Sequence, residues 1–184
     1  MRRMLFVLAA VFATAAVAVP AALAANPHFK HGGTPVCTIS GSGTNSTSTT
    51  CTGSLTGLGG GDVTISVTVS GFAVYQCQNG GGNTAPGQNR VLEGPSTTPT
   101  VIPGSEVKNG NLTFTTNPAV LSASPTVSGA AAGCPNANWT GVNPTLTVTS
   151  IELAISQTSL GTFYDCTVSN PNGLSGSVPF PASC

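Results

Sequence analysis

The sequence predicts an all-β fold, an antiparallel β-sandwich of about seven or more strands. After residue 25 no segment repeats apolar residues with the 3.6-residue period of an amphipathic helix, whereas alternation of apolar and polar residues recurs. The apolar runs are short, and clusters of Gly, Asn and Pro separate them. Many short strands punctuated in this way are typical of a sandwich.

The clearest strand begins at Val63, where β-branched residues alternate with Thr and Ser as far as Ser70. Gly71 interrupts the alternation, which then resumes on one of two sets. The two sets are Phe72 with Val74 and Ala73 with Tyr75. A glycine inside a strand often marks a bulge or a bend. We therefore expect a kink at Gly71 that shifts the inward-facing set by one residue.

A second long strand is predicted further along the chain. Its apolar positions are Leu146, Val148, Ile151, Leu153 and Ile155. Because even positions give way to odd ones, we expect one change of phase near Ser150. Shorter strands are predicted over residues 36–40, 48–55, 111–116, 162–169 and 174–180.

Two stretches, residues 78–105 and 117–144, are predicted to be long irregular loops. Loops of this length in a compact domain often carry a function. Amide side chains in them can hydrogen-bond a neutral polar ligand, and a Trp adds rigid contact area. The candidate binding residues are Asn83, Gln88, Asn89, Asn136, Asn138 and Trp139.

The first 24 residues are predicted to be a secretory signal peptide that is removed. Arg2 and Arg3 precede an apolar run over residues 4–19, and Ala22-Leu23-Ala24 is a small-x-small cleavage pattern. The mature protein is therefore expected to be secreted and extracellular. The segments predicted after the signal peptide are a flexible mature N-terminus, residues 25–35, and a single β-sandwich domain, residues 36–184.

Charged side chains are scarce, with only three Lys or Arg and five Asp or Glu after residue 24. Three scattered cations cannot build a phosphate-neutralising patch, which excludes nucleic acid and anionic membrane surfaces as partners. No apolar stretch of about 18 residues follows the signal peptide, so no membrane span is predicted in the mature form. The composition leaves a polysaccharide or an extracellular protein as the possible partner classes.

All six cysteines follow the signal peptide and would enter an oxidising compartment, where disulfides persist. Six cysteines admit fifteen pairings, among which the sequence alone does not select. The favoured pairs are Cys37 with Cys51, which flank a predicted hairpin turn, Cys77 with Cys134, which each open onto one of the two predicted loops, and the remaining Cys166 with Cys184. A structural zinc site would need Cys or His pairs at shorter spacing, so no metal site is predicted.

Catalytic groups are also few. Nucleophilic catalysis by Ser or Cys generally needs a His as base, and His28 and His31 both lie near the predicted mature N-terminus. No Gly-x-Ser-x-Gly motif occurs. The acidic residues stand apart in the sequence as Asp62, Glu93, Glu106, Glu152 and Asp165. We therefore expect neither enzyme activity nor a cofactor.

One local resemblance lies near the C-terminus. The run from Tyr164-Asp165-Cys166 to Asn172-Gly173 resembles strand F and the F–G turn of immunoglobulin-superfamily domains, where a Tyr two residues before a Cys forms the tyrosine corner. The resemblance implies that Tyr164 turns its hydroxyl onto the backbone and that Cys166 points into the core. It covers about a dozen residues, and the family's other Cys and Trp spacings are not matched. It therefore implies an immunoglobulin-like sandwich without the family's disulfide.

These observations favour a secreted, non-enzymatic module with an extracellular structural or interaction role. A carbohydrate-binding or cell-wall-binding module that uses Trp139 and the neighbouring Asn residues is the first alternative. A small secreted hydrolase is the second, and it would need two acids, or an acid and a histidine, to meet in a cleft.

Overall fold

The computed structural model describes residues 25–41 and 43–184. Over these ranges the chain forms eleven strands, one short α-helix and a 3₁₀ turn at Gly104–Glu106. The predicted signal peptide lies outside the described residues. The elements are β1 His28–Phe29, β2 Val36–Ser40, β3 Ser46–Thr56, β4 Val63–Gln78, β5 Thr84–Ile102, β6 Leu112–Thr115, β7 Ala119–Ser122, β8 Thr126–Ser128, α1 Gly129–Ala132, β9 Thr140–Gln157, β10 Gly161–Leu174 and β11 Gly176–Pro179.

The strands form two antiparallel sheets that pack against each other, which confirms the predicted all-β sandwich. In sheet 1, β11 pairs with β2 and β2 with β3. Leu55 of β3 pairs with Phe29 of β1 on one side and Leu112 of β6 on the other, so β1 and β6 flank β3. β7 also pairs with β3. Sheet 2 has the order β10–β9–β4–β5, with β8 paired to β9.

One cluster of buried side chains lies between the sheets, and β4 and β9 supply its centre. Burying one Val, Leu or Ile side chain stabilises a fold by about 1.5–3 kcal/mol relative to leaving it in water. The buried aliphatic side chains of β4 and β9 therefore stabilise the centre of the core. These are the two long strands that the alternation predicts. Their fully buried aliphatic residues include Val63, Ile65, Val67, Val69, Leu146, Ile151, Leu153 and Ile155.

The ladders of β4 change register at Gly71, but the predicted shift of the inward-facing set in β4 is wrong. Odd-numbered residues of β4 face the core from Val63 to Cys77. The extra residues lie in the neighbouring strands: between Ser70 and Gly71, the β9 partner jumps from Ser150 to Val148. The change of phase therefore falls in β9, where it is predicted, and β4 keeps its alternation.

The two predicted irregular loops are a second correction. Residues 78–105 contain the 19-residue strand β5, and residues 117–144 contain β7, β8 and α1. Prolines made the first stretch look irregular, yet β5 pairs only with β4 and so lies at the edge of sheet 2. Pro has no N–H to donate to a neighbouring strand. An edge strand tolerates it because the outer side of that strand has no partner strand to bond. Pro86 and Pro99 accordingly sit in register with Gln76 and Ser66.

The five shorter predicted strands all have counterparts, namely β2, β3, β6, β10 and β11. Residues 25–35, predicted to be a flexible N-terminus, include β1 in sheet 1. Phe29 of β1 is buried and meets the Tyr164 ring edge-on, with 4.8 Å between the ring centroids. The packed unit therefore begins at β1 and not at residue 36.

Three disulfides link Cys37 to Cys51, Cys77 to Cys134 and Cys166 to Cys184, and no cysteine is free. These are the three pairs favoured from the sequence. The first joins directly opposed residues of β2 and β3. The second ties β4 to the segment after α1, and the third ties β10 to the last residue. The second and third disulfides therefore each fasten a segment outside the strands to a strand.

In residues 25–41 and 43–184, no helix has the length and apolar character needed to cross a bilayer.

Candidate functional site

The predicted binding residues lie at one end of the sandwich. We call the end at which β4 finishes the Gln78 end, and the end at which β4 begins the Val63 end. Asn83 stands in the β4–β5 turn, and Gln88 and Asn89 follow it in β5. Trp139 immediately precedes Thr140, whose β4 partner is Gln78. The fold thus brings both predicted segments to the Gln78 end.

Most of these side chains have contacts that hold the backbone. The Asn89 amide donates to the carbonyl oxygens of Ala130 and Ala131 at 3.3 and 3.2 Å, and so it caps α1. The Gln88 amide reaches the carbonyl oxygen of Pro86 at 3.4 Å. These contacts favour a structural role for both amides.

The segment before β9 is a tight turn. Asn136 Oδ1 accepts from the backbone N–H of Asn138 at 2.9 Å, and the Trp139 N–H donates to the Asn136 carbonyl at 3.0 Å. Trp139 itself is half-buried against the core. Its ring therefore contributes packing at this end, and its role in binding stays a prediction. Asn83 is exposed, and its N–H donates to Asn79 Oδ1 at 2.9 Å.

A polar cleft opens beside these residues at the Gln78 end, with a volume of about 490 Å³. It lies where the β2–β3 turn meets the segment before β8 and the start of β9. None of the residues that line it is charged. They are Gly43, Thr44, Asn45, Gln76, Pro125, Asn143, Pro144 and Thr145. We call it the amide cleft.

Backbone hydrogen bonds hold the walls of the amide cleft. The Leu146 N–H donates to the Thr44 carbonyl at 3.0 Å, which joins the β2–β3 turn to β9. The Ala123 N–H donates to the Asn45 carbonyl at 2.9 Å, which joins the same turn to the chain after β7. The walls come from both sheets, so the cleft depends on how the sheets are packed.

Two of the lining residues, Gln76 and Asn143, carry amides that bond to each other. Asn143 Nδ2 donates to Gln76 Oε1 at 3.1 Å. Asn143 has a positive φ of 48° inside β9, a conformation that Asn tolerates better than most residues. The ladders of β4 with both β5 and β9 change register between Val74 and Gln76. Double bulging of this kind re-aims side chains, here toward the cleft.

Gln76 and Asn143 are not among the residues predicted from the sequence. The available signal is the dipeptide Asn143-Pro144, since Asn-Pro marks a turn or an irregularity in the backbone. Gln76 carries no such signal because it stands at an ordinary outward position of a strand. Its place beside Asn143 follows from the pairing of β4 with β9.

A second cavity, of about 370 Å³, lies at the Val63 end. Phe29, Leu55 and Phe163 give it an apolar lining, and His28 and Asp165 lie at its exposed rim. His28 Nδ1 lies 2.7 Å from the Asn26 carbonyl oxygen. Because a carbonyl only accepts, a neutral His28 donates from Nδ1 and leaves Nε2 as an acceptor. An acid and a histidine thus share one cavity, and the hydrolase alternative stays open.

The other acidic side chains are dispersed. Asp62 Oδ1 accepts from the Gly104 N–H at 2.9 Å, and Glu152 lies on the outer face of sheet 2 opposite Thr68. Glu93 lies 3.5 Å from the Tyr75 hydroxyl. Burial raises the pKa of the Glu93 carboxyl, against the lowering effect of its bond to Tyr75. Burial, with a contribution from Glu93, raises the pKa of Tyr75.

The outer face of sheet 1 carries hydroxyls. β3 turns Ser or Thr outward at every second residue, and two of these bond across the sheet, Ser54 to Thr113 at 3.0 Å and Ser46 to Ser122 at 3.2 Å. No strand residue of sheet 1 is an acid, a Lys or an Arg. The outward residues of β3 are Ser46, Ser48, Thr50, Thr52, Ser54 and Thr56. This face can donate and accept hydrogen bonds without attracting ions.

Across the described part of the chain, no group of three His, Cys, Asp or Glu residues is placed to hold a metal ion. The absence of a cofactor or metal stays a prediction. Comparison of the chain with known proteins gave no match among protein-family models, curated proteins or solved structures.

Proposed function

We propose that the protein is an exported, non-catalytic β-sandwich with an extracellular structural or interaction role. The observation that carries this proposal is the pairing of all six cysteines into three disulfides in a fold that already has a continuous core. Disulfides form and persist in oxidising compartments such as the extracellular space. The predicted signal peptide is the route by which the chain would reach such a compartment.

The acidic side chains are dispersed, which supports the proposal that the protein is not an enzyme. Asp62 is held by a backbone N–H, Glu93 by a tyrosine, and Glu152 stands on an open sheet face. General acid–base catalysis needs such groups to converge on one reacting atom. His28 and Asp165 are the pair that shares a cavity, and they provide the test of this part. A hydrolytic activity that is lost in both His28→Ala and Asp165→Asn would overturn it.

The chemistry of two surfaces supports the proposed interaction role. The hydroxyl face of sheet 1 and the amide cleft are both uncharged, and they offer donors and acceptors together. Neutral partners suit such surfaces, because burying a charged partner there would leave its charge uncompensated. A carbohydrate-binding module is the second candidate function, and the neutral amide cleft is the observation that favours it.

Export is tested by expressing the full chain in a secreting host and measuring the intact mass of the protein in the medium. We expect a product that lacks the first 24 residues and is lighter than its reduced form by the six hydrogens of three disulfides. The control is Ala22→Arg with Ala24→Arg, which removes the cleavage pattern and should block processing. Retention in the cell with free thiols would contradict the proposal.

A further inference from the structure

We propose that the amide cleft is a binding site for a neutral saccharide, held through adjacent hydroxyl groups by Gln76 and Asn143. This inference rests on the proposed function, to which it adds a ligand class and a location.

The side-chain amides of Gln76 and Asn143 bond to each other, and each keeps one polar atom for a ligand. Their mutual hydrogen bond uses the nitrogen of Asn143 and the oxygen of Gln76. Gln76 Nε2 therefore keeps its donor hydrogens and Asn143 Oδ1 its acceptor lone pairs. A pair of neighbouring sugar hydroxyls can accept from the first and donate to the second at the same time. Thr145, which also lines the cleft, adds a hydroxyl that can do either, whereas the Thr44 hydroxyl already donates to the Gly41 carbonyl at 2.6 Å.

The backbone under these amides is held in place before any ligand arrives. A non-glycine residue at positive φ persists only where its surroundings hold it. Asn143 is such a residue inside β9, which pairs with β4 on both sides of the bulge. Asn109, which also has a positive φ, stands next to Gly110 in a turn, where this conformation is ordinary. A rigid site loses little entropy on binding.

The size and polarity of the cleft favour a sugar over other polar ligands. Its volume of about 490 Å³ falls within the usual range for small-ligand sites, about 300–1,000 Å³. Pro125 and Pro144 offer apolar surfaces for the C–H groups of a sugar ring. The lining has no cation to pair with a phosphate, sulfate or carboxylate, so a charged saccharide should be rejected.

The test is a calorimetric titration of the full mature chain with cellohexaose, chitohexaose and maltohexaose, and with hexagalacturonate as the charged comparison. We expect at least one neutral oligosaccharide to bind and the charged one not to bind. Gln76→Ala and Asn143→Gly should each weaken binding about tenfold or more, because a bidentate contact is lost. Asn143→Gly removes the amide but keeps the positive φ without strain.

Gln78→Ala is the matched control, since it removes an exposed glutamine amide from the end of the same strand, outside the cleft. It should leave binding unchanged. Failure of all four oligosaccharides to bind overturns the inference, as does binding that both cleft variants retain. If a cleft variant does not fold, the side-chain amide resonances of Gln76 and Asn143 in the ¹⁵N-labelled wild-type protein replace it. Their perturbation by the sugar supports the site, and perturbation elsewhere overturns it.

Trp139→Ala separates this inference from the proposed function. Binding that is lost in Trp139→Ala but kept in the cleft variants would move the site to the turn before β9. That result overturns the amide cleft and leaves a non-catalytic interaction module standing. Export and disulfide formation, measured by intact mass, decide the proposed function independently of any sugar.

Discussion

Two buried tyrosines each form a hydrogen bond to the backbone, one at each end of the sandwich. Tyr75 and Tyr164 each face the core two residues before a disulfide-bonded cysteine. The Tyr75 hydroxyl donates to the Ser124 carbonyl at 2.9 Å, at the Gln78 end. The Tyr164 hydroxyl donates to the Pro181 carbonyl at 2.8 Å, at the Val63 end. Tyr164 and Cys166 thus hold the same C-terminal segment, whereas Tyr75 and Cys77 hold two segments, one before β8 and one after α1.

Alkaline titration should show that these tyrosines are protected. Burial raises the pKa of Tyr164 to about 12 and raises that of Tyr75 above its usual value. An unfolded tyrosine titrates near pH 10. Tyr164 therefore stabilises the fold fully below about pH 10, and this contribution is lost as the pH rises through about 12. Because the chain has two tyrosines, ultraviolet absorbance can follow both.

The control for this prediction is the same titration in denaturant, where both tyrosines should ionise near pH 10. Tyr164→Phe should remove the later ionisation and leave that of Tyr75. Ionisation of both tyrosines near pH 10 in the folded protein would contradict the burial of the Tyr164 hydroxyl.

At the scale of elements, β4 is the strand on which sheet 2 depends, because it pairs along its length with both β5 and β9. β4 and β9 approach each other closely at Gly71. A Cβ atom there would overlap the Thr147 carbonyl oxygen and come within 3.1 Å of Val148 Cα. The glycine is thus required by the bulge in β9, even though β4 itself keeps its alternation.

Gly71→Ala is therefore expected to destabilise the protein by about 2 kcal/mol, since backbone atoms have to move to make room. Gly80→Ala is the control, because a Cβ added at Gly80 meets nothing within 4 Å and φ there is not positive. That change should alter stability by less than about 0.5 kcal/mol. Urea denaturation of the three proteins measures both effects. Equal midpoints would contradict the close approach of β4 and β9.

Side-chain hydrogen bonds cover β5, the strand at the edge of sheet 2. Ser96 Oγ donates to the Val120 carbonyl at 2.7 Å, and Asn117 Nδ2 donates to the Pro99 carbonyl at 3.2 Å. These bonds join β5 to β7 and to the residues before it, where sheet 1 and sheet 2 meet. Prolines and contacts with a neighbouring segment are two ways by which proteins protect an edge strand from pairing with other chains.

At the scale of the whole molecule, the disulfides close chain segments of different lengths. Cys77 and Cys134 are 57 residues apart, whereas Cys37 and Cys51 are 14 apart and Cys166 and Cys184 are 18 apart. In the chain-entropy description, a longer closed loop restricts the unfolded chain more. The Cys77–Cys134 bridge should therefore contribute the most to stability.

Replacing that pair by Ala should cost about 4 kcal/mol, and replacing either short-range pair about 3 kcal/mol. Alanine is the choice because Cys37, Cys51 and Cys77 are fully buried, and a serine hydroxyl there would lack partners. Chemical denaturation of the three double variants measures the order. The two short-range variants act as controls for each other, and a larger loss in either of them than in the Cys77–Cys134 variant would contradict the expectation.

The resemblance to the immunoglobulin superfamily stays a prediction. Cys166 is buried, as the resemblance implies, and the Tyr164 hydroxyl does bond to the backbone. It reaches Pro181, 17 residues downstream, whereas a tyrosine corner bonds a few residues upstream. The contact that Tyr164 makes here therefore secures the C-terminal segment.

Prediction from the sequence succeeded where a few neighbouring residues carry the signal. The alternation from Val63 and from Leu146 marks the core strands, and the phase change near Ser150 follows from the same pattern. β3 shows the limit, since Thr47 and Thr49 face the core while Ser and Thr also face outward. In a strand that is polar on both faces, apolar and polar residues do not alternate, so the pattern does not show which face is buried. The pairing with neighbouring strands decides it.

The sequence by itself determined the all-β class and the central strands, because periodicity is a local property, and chain proximity favoured the pair Cys37 with Cys51. Only the tertiary structure decided that the proline-rich stretch forms β5 and that Asn89 caps α1. It alone brought Gln76 to Asn143, 67 residues away. Contacts at such separations depend on the register of β4 with β9 and on the packing of two sheets, which no short stretch of sequence encodes.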